Sequence, residues 1–512
     1  ADILPDVLPD RVRQHHQLCR IEYAYENIHF PESAEALDLA RRRLAFEELF
    51  LFTIGLERLR SRREVVHVPP CGGVDMELFY RALPFTLTDA QRRCVEEALA
   101  DMRSGTPMNR LCQGDVGSGK TMVAAACVYF MVKNGRQAAL MAPTEILAQQ
   151  HYQGLAPLLE NLGIRCALLT GSTTAKTKRS ITQQLESGEI DFAIGTHALI
   201  TGSVAYRDLG LVVTDEQHRF GVAQRAELAA KGDHPHILVM SATPIPRTLA
   251  LILYGDLDVS IIDQLPPGRQ PVQTFAVTGG YHQRVYRFIR KLVGEGRQAY
   301  IVCPMVEEND QLPDERKAVT EYAKKLQSEV FPDLKVAFVH GKMKPKEKDA
   351  VMAAFAAHET DILVSTTVIE VGVDVPNAAV MVIENAERFG LSQLHQLRGR
   401  VGRGKHQSYC ILISDNRNEE TRQRLKVMTK TTDGFQIAEE DLRLRGPGDF
   451  FGARQHGLPG LKVADLGCDT QLLQEARQAA EQLLAQDPAL TSCPATAERV
   501  TELFTQQADA LN

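Results

Sequence analysis

Hydrophobic residues form a repeating pattern in the middle of this chain. Between residues 76 and 268, short and almost continuous apolar runs alternate with longer segments that carry apolar residues at helical spacing. Such short runs are typical of strands buried on both faces of a parallel sheet, with functional residues at their carboxyl ends. The predicted strands are residues 137–142, 190–195, 209–214 and 236–241.

The same alternation begins again after a proline-rich segment. Residues 265–271, Leu-Pro-Pro-Gly-Arg-Gln-Pro, predict a linker. The second set of predicted strands is 299–304, 336–340, 361–365, 379–384 and 410–414. The fold class that follows is α/β, with two tandem units that each contain a parallel sheet.

Helical patterns dominate both ends of the chain. Residues 33–63 carry Ala, Leu, Glu and Arg at helical spacing, and the Pro-Pro-Cys-Gly-Gly run at 69–73 predicts a linker. The C-terminal part is mostly helical, apart from a Gly-rich stretch at 445–460. The predicted domains are a helical linker region at 1–75, α/β units at 76–268 and 269–418, and a helical hairpin region at 419–512.

Composition restricts the class of protein. The 512 residues are 44% hydrophobic and 24% charged, and no apolar run approaches the ~20 residues that span a membrane. The ten cysteines form no Cys-x-x-Cys pair, so a reducing cytoplasm is expected. The net charge of −7 still allows a local basic track for nucleic acid. Because the first residue is Ala, a fragment or a processed product is expected.

A phosphate-binding loop is the strongest chemical signal. Residues 114–121, Gly-Asp-Val-Gly-Ser-Gly-Lys-Thr, match the pattern G-x-x-x-x-G-K-[ST], between an apolar run and a helical pattern. The glycines let backbone N–H groups turn onto phosphate oxygens at the start of a helix. In this pattern Lys120 reaches the β- and γ-phosphates, and the Thr121 hydroxyl takes a Mg²⁺ position.

Acidic and hydroxyl residues follow two further predicted strands. Asp215 and Glu216 come directly after the strand 209–214. Asp215 is expected to hold Mg²⁺, and Glu216 to orient or deprotonate the attacking water. Ser241 and Thr243 stand at the end of the next strand, where they can bridge the nucleotide site to a bound nucleic-acid strand.

Two arginines in the second unit complete a phosphoryl-transfer set. Arg400 and Arg403 are three residues apart and lie on one face of a helical turn. Planar guanidinium groups neutralise charge on a transferring γ-phosphate. Such a pair in isolation favours a solvated basic face, but the phosphate loop and the acidic pair favour catalysis here.

In this order the motifs resemble those of superfamily 2 helicases and translocases of the DExH type, over about residues 83–403. The resemblance implies two RecA-like domains with ATP and Mg²⁺ bound between them. It assigns catalysis to Lys120, Asp215, Glu216, Gln396, Arg400 and Arg403, and Mg²⁺ to Thr121 and Asp215. The residues that it places at the nucleotide are Phe85, Gln91, Gly114, Asp115, Gly117, Ser118, Gly119, Lys120, Thr121, Gly372 and Asp374. The residues that it places at the nucleic-acid strand are Thr144, Glu145, Thr170, Gly171, Thr196, His197, Ser241, Thr243, Arg247, Thr366 and Thr367.

Residues 214–222, 241–248 and 444–455 give a finer resemblance, to the RecG family of bacterial branch-migrating DNA helicases. It implies that Arg424, Arg445 and Gln455 tie a translocation hairpin and loop to the motor. The transcription-repair coupling factor is similar in the last segment and in residues 245–248, but it usually has Glu at the position of Gln217. RecG proteins begin with a wedge domain that grips the branch point. Only about 75 residues precede the motor here, so we expect most or all of the wedge to be missing.

Three hypotheses on function follow. The first is an ATP-driven translocase of double-stranded DNA that acts on forks and junctions in recombination and repair. The second is a coupling-factor-like translocase or an RNA helicase with the same motor. The third is a non-catalytic binding module, against which Lys120, Glu216 and Arg403 argue. The first implies a bacterial, cytoplasmic, nucleoid-associated monomer, with branched or duplex DNA and single-stranded-DNA-binding protein as partners and no membrane.

Overall fold

The computed structural model describes most of the chain. The described residues are 6–61, 66–215, 227–242, 257–266, 270–304, 315–341, 343–366, 375–404, 406–445, 461–465 and 469–508. They fall into two compact units. One combines the residues up to 65 with those from 439 onward and with 245–257, and the other holds 66–244 and 258–438.

Two parallel sheets form the framework of the unit that runs from residue 66 to 438. The strands of the first sheet are β1 Asn109–Gly114, β2 Gln137–Met141, β3 Cys166–Leu169, β4 Phe192–Gly195, β5 Leu209–Thr214, β6 His236–Ser241 and β7 Asp258–Ile262, in the order β3-β4-β2-β5-β6-β1-β7. The strands of the second are β8 Gln273–Val277, β9 Gln298–Val302, β10 Val336–Val339, β11 Ile362–Ser365, β12 Ala378–Ile383 and β13 Tyr409–Ile413, in the order β10-β11-β9-β12-β13-β8. The predicted α/β class with two tandem sheets is confirmed.

Helices connect the strands, as parallel pairing requires. We call the part of this unit that contains the first sheet the first domain and the part that contains the second sheet the second domain. The helices of the first domain are Glu77–Ala82, Asp89–Arg103, Lys120–Lys133, Glu145–Glu160 and Ala175–Ser187. Those of the second are His282–Gly294, Glu315–Lys325, Pro345–Ala356 and Leu391–Arg398, and the helices Glu419–Lys430 and Gly434–Arg445 follow its strand β13. The helix Lys120–Lys133 is buried throughout Val123–Met131, because it is apolar on all sides.

Four strands were not predicted, namely β1, β3, β7 and β8. β3 and β7 are the edges of the first sheet and β8 is an edge of the second, whereas β1 lies between β6 and β7. An edge strand is only partly covered, so its sequence does not need a continuous apolar run. In β8, for example, Gln273, Phe275 and Ala276 are exposed. The edge strand β10 was predicted from its apolar run Val336–Val339, and β1 lies inside its sheet although it carries Asn109, Arg110 and Gln113.

The unit that combines the two ends of the chain is helical. Its helices are Asp10–His15, Ile21–His29, Ala34–Ser61, Thr470–Gln486 and Pro494–Ala508. The long helix Ala34–Ser61 matches the helix that the sequence predicts at 33–63. None of the helices among the described residues is long and apolar enough to cross a bilayer.

A buried arginine holds the long helix in place. The Arg43 side chain has no exposed surface, and it donates to Glu47 Oε2 at 2.6 Å and to Asp6 Oδ1 at 2.5 Å. Burial raises the pKa of Glu47, and the Arg43 cation opposes that shift. Each charge in this cluster therefore depends on the others, because an unpaired charge in the interior is costly.

We expect Arg43→Ala to lower the free energy of unfolding by roughly 3–5 kcal/mol, because it leaves two carboxylates without their cation. Arg42→Ala on the same helix is the matched control. Its side chain is 47% exposed and its Nη2 lies 3.0 Å from Glu475 Oε2, and an exposed pair contributes at most about 1 kcal/mol. Denaturant unfolding followed by circular dichroism measures both losses, and equal losses would contradict the role given to Arg43.

Candidate active site

The order of the strands separates the motifs of the first domain into two groups. β5, β6 and β1 are neighbours, and Asp215, Ser241 and the phosphate loop stand at their carboxyl ends. β3, β4 and β2 are also neighbours, and they precede the motifs predicted to contact nucleic acid. All strands are parallel, so both groups lie along one edge of a single sheet. One edge of the sheet therefore has two halves. We call the ends of β5, β6 and β1 the nucleotide half and the ends of β3, β4 and β2 the polynucleotide half.

The phosphate loop has the backbone shape that its glycines predict. Gly117 and Gly119 have φ angles of 77° and 87°, in the left-handed region that favours glycine. The helix Lys120–Lys133 begins directly after Gly119. Lys120 Nζ donates to the carbonyl oxygens of Gly114 at 2.8 Å and Asp115 at 2.9 Å. The lysine thus lies folded against the loop, where its charge is available to phosphate groups.

Gln91 braces this loop from the first domain. Its amide nitrogen donates to the Ser118 carbonyl at 2.7 Å, and its Oε1 accepts from the Thr88 backbone at 2.9 Å. A Cβ on Gly119 would lie 2.2 Å from the Gln91 amide nitrogen, so the glycine makes this contact possible. Adenine recognition by Gln91 stays a prediction, as does that by the half-exposed Phe85.

Asp215 is held by a histidine that the sequence did not indicate. His151 Nε2 and Asp215 Oδ2 are 2.6 Å apart, and both side chains are nearly buried. His151 lies on the helix Glu145–Glu160, which begins in a predicted nucleic-acid motif. This pair therefore connects the two groups of motifs. A single histidine inside a helix carries no recognisable pattern, so only the fold reveals it.

A helix of the second domain lies against the phosphate loop. His395, on the helix Leu391–Arg398, has its Nε2 2.6 Å from Asp115 Oδ1. A Cβ on Gly399 would lie 3.0 Å from the Cβ of Val116, so a glycine is needed for this approach. The arginines predicted to act in catalysis follow within four residues. Arg400 is buried, and Arg403 Nε donates to the Gly399 carbonyl at 3.2 Å.

Arg398 is the last residue of the helix Leu391–Arg398, and it anchors this helix to the C-terminal end of the helix Glu419–Lys430. It is 3% exposed, and burial lowers the pKa of its guanidinium. Burial acts to raise the pKa of the Asp115 carboxyl, but hydrogen bonds from His395 and Val116 outweigh it and lower the pKa. Asp115 therefore stays ionised at neutral pH, next to the loop that binds phosphate. Neither Arg398 nor His395 was given a role from the sequence.

The polynucleotide half is braced by its own side chains. The Thr144 hydroxyl accepts from the Leu147 backbone at 3.3 Å and caps the helix Glu145–Glu160. Glu145 Oε1 accepts from the Ser172 backbone at 3.0 Å, which joins two predicted motifs. Thr170 and Thr196 are buried at the ends of β3 and β4. The structure brings these residues, with Gly171 and His197, to one edge, and their contacts with nucleic acid stay predictions.

Several predicted site residues cannot be placed. Glu216, Thr243, Arg247, Thr367, Gly372, Asp374 and Gln455 lie outside the described residues, as does the Arg445 side chain. Thr366 is buried at the end of β11, and Gln396 is half-buried. Arg424 donates to the carbonyl oxygens of Glu387 and Phe389, so it ties the helix Glu419–Lys430 to the second domain. The coupling role implied for Arg424 stays a prediction.

The donor set at the loop suits Mg²⁺. A hydroxyl at Thr121 and a carboxylate at Asp215 are hard oxygen donors, and Mg²⁺ in phosphate sites is held by one or two such groups together with phosphate oxygens and water. Among the residues that the structure describes, no three metal-binding side chains converge, so an all-protein cage is not found there.

Comparisons with known proteins define the class of this molecule. The "DEAD/DEAH box helicase" family matches residues 88–252, and "Helicase conserved C-terminal domain" matches residues 282–405. The fold and both matches make the chain a superfamily 2 helicase motor. A third family, "ATP-dependent DNA helicase RecG, domain 3, C-terminal", matches residues 431–503.

Individual relatives define the family. The chain is 52% identical to "ATP-dependent DNA helicase RecG" of Synechocystis sp. over 96% of its length and 59% of the relative's. It is 50% identical to the protein of that name from Bacillus subtilis, over 95% and 72%. A solved "Structure of RecG bound to three-way DNA junction" is 48% identical with a TM-score of 0.73, over 92% of this chain and 62% of that one. The chain belongs to the RecG family, as its motifs predicted, and spans about 60–70% of these relatives.

We expect Gly399→Ala to reduce ATP turnover roughly tenfold, because its Cβ displaces Val116 and a small misplacement of reacting groups is costly. Gly154→Ala is the matched control, since nothing lies within 4 Å of a Cβ built at that helical glycine. Steady-state ATPase assays with a melting curve for each variant measure the effect. Unchanged turnover in a folded Gly399→Ala variant would contradict the close approach.

Proposed function

We propose that the chain is an ATP-driven translocase of double-stranded DNA that acts on replication forks and branched junctions in recombination and repair. The observation that carries the proposal is the approach of the second-domain helix to the phosphate loop, through Gly399 and His395. A site shared between two domains changes when the domains open or close, which is what a motor needs. Family membership, and the solved structure of a relative bound to a three-way DNA junction, support DNA as the polymer along which the chain moves.

In the proposed reaction, ATP binds at the loop between the two domains. Lys120 reaches the β- and γ-phosphates, and Thr121 and Asp215 hold Mg²⁺, which neutralises charge on the phosphate oxygens. His151 orients Asp215 through its 2.6 Å contact. Glu216 orients the attacking water, and Arg400 and Arg403 neutralise charge on the transferring phosphoryl group. Phe85, Gln91, Gly372 and Asp374 complete the nucleotide contacts.

The DNA contacts of the proposal lie on the polynucleotide half of the first sheet and on Thr366. Hydroxyl and backbone N–H groups at strand ends suit phosphate oxygens, which carry no sequence information. Binding is therefore proposed to depend on salt and little on sequence. Arg424, Arg445 and Gln455 couple the hairpin to the motor in the same proposal. We further propose a cytoplasmic, nucleoid-associated monomer that meets single-stranded-DNA-binding protein.

We expect Lys120→Ala to lower ATP turnover by at least about a hundredfold, because the variant lacks the cation that meets the β- and γ-phosphates. Lys133→Ala is the control from the other end of the same helix, where the amine donates to the Leu162 carbonyl on the surface. Phosphate release with and without duplex DNA measures turnover. Normal turnover in the Lys120 variant would place the catalytic site elsewhere.

We expect duplex DNA to stimulate the ATPase of this 512-residue chain, with only a weak preference for a three-way junction over a linear duplex of equal length. The proposed contacts are to phosphates, which do not encode a branch. Competition binding and ATPase titrations with junction, duplex and RNA separate the possibilities. A strong junction preference would show that the motor itself reads the branch, and stimulation by RNA alone would favour an RNA helicase.

A further inference from the structure

Arg398 connects the motor to the hairpin helix Glu419–Lys430 through a buried network. Its Nη1 donates to the carbonyl oxygens of Met428 at 2.8 Å and Thr431 at 3.0 Å. These carbonyls are at the C-terminal end of the helix, where a cation is favoured by the helix dipole. A charged group buried at that point fixes the end of the helix far more firmly than an exposed one.

The other side of Arg398 faces His395. Arg398 Nη2 lies 2.9 Å from His395 Nδ1, and because a guanidinium has only donors, Nδ1 accepts. The proton of the neutral ring is then on Nε2, which donates to Asp115 Oδ1 at 2.6 Å. His395 is 4% exposed, so both contacts are shielded from water. The tautomer assigned in this way joins a buried cation to a carboxylate of the other domain through one ring.

Asp115 in turn shares the lysine of the phosphate loop. Its carbonyl oxygen accepts from Lys120 Nζ at 2.9 Å, and its carboxylate accepts from the Val116 backbone at 2.6 Å. A triphosphate competes with the Asp115 carbonyl for Lys120, because phosphate is the stronger acceptor of a charged donor. The conformation of Asp115 therefore depends on what Lys120 binds.

We propose that Asp115, His395 and Arg398 form a relay that transmits triphosphate binding at the phosphate loop to the hairpin helix Glu419–Lys430. The relay deepens the proposed translocase, since it supplies a route from nucleotide to hairpin, and it rests on that function for its purpose. His395 is a positioning residue in it. Triphosphate binding moves Asp115, and the His395 imidazole moves with it. Arg398 then changes its hydrogen bonds to the Met428 and Thr431 carbonyls.

Two substitutions of His395 each remove one of its two contacts, that with Asp115 or that with Arg398. An asparagine amide oxygen takes the place of imidazole Nδ1, so His395→Asn keeps an acceptor for Arg398 but does not reach Asp115. A glutamine amide nitrogen reaches the place of Nε2, so His395→Gln keeps a donor for Asp115 but lacks the acceptor for Arg398. His406→Asn is the matched control, because His406 is an exposed histidine of the same domain.

The reporter is a single tryptophan on the hairpin helix. The chain contains no tryptophan, and Gln423 is exposed on Glu419–Lys430, so Gln423→Trp gives one emission signal. Adenylyl imidodiphosphate with Mg²⁺, at a saturating concentration for each variant, is the probe. We expect it to change the emission in the Gln423→Trp chain, and both His395 variants to reduce that change roughly fivefold or more. The His406 variant should keep it.

A full emission change in either His395 variant would overturn the relay, as would an equal loss in the His406 variant or the absence of any change in the Gln423→Trp parent. Because this readout contains no DNA, it is independent of the proposed function. A parallel assay of base pairs moved per ATP tests that function directly. If the chain moves along DNA but the emission change does not depend on His395, the translocase is retained and the relay is rejected. If the emission change depends on His395 but the chain does not move along DNA, the relay is retained and the translocase is rejected.

Discussion

The geometry of the nucleotide site depends on the side chains that hold the phosphate-binding loop, residues 114–121, in place. A phosphate-binding loop works only when its backbone N–H groups point to a common centre, and two left-handed glycines give it that shape. Glycines alone leave such a backbone loose, so other side chains fix it. Gln91 holds it at Ser118 from the first domain, and His395 holds it at Asp115 from the second. Both domains therefore take part in the geometry of the nucleotide site, which makes that site sensitive to how they are arranged.

The strand order of the first sheet places the nucleotide site beside the predicted nucleic-acid motifs. The nucleotide motifs and the polynucleotide motifs occupy neighbouring halves of one sheet edge, and the helix Glu145–Glu160 spans them. Its first residues belong to a predicted nucleic-acid motif, whereas His151, two turns on, holds Asp215. A rigid helix that touches both halves transmits a shift at one to the other. In the second domain Arg398 has the equivalent position, between the site and the hairpin helix.

Much of the fold and the motifs could be predicted, because both depend on local sequence. Covered strands require continuous apolar runs, and a loop that binds phosphate requires glycines at fixed spacing. The edge strands β7 and β8 carry polar residues, since water reaches one side of them, and the interior strand β1 carries Asn109, Arg110 and Gln113. His151 and His395 were missed for another reason. They act on residues 64 and 280 positions away, and no local pattern specifies such contacts. The role of Glu216 came from its place after the strand 209–214 and that of Asp374 from resemblance, and both stay predictions.

We propose that nucleotide bound at the phosphate loop changes the second domain and the hairpin helix as well as the loop. Hydrogen–deuterium exchange of the unmodified chain, with and without Mg²⁺ and a non-hydrolysable ATP analogue, measures these changes together. We expect slower exchange at residues 114–121 together with a change in the helices Leu391–Arg398 and Glu419–Lys430. A change confined to residues 114–121 would contradict it, because the loop would then bind nucleotide without engaging the rest of the motor.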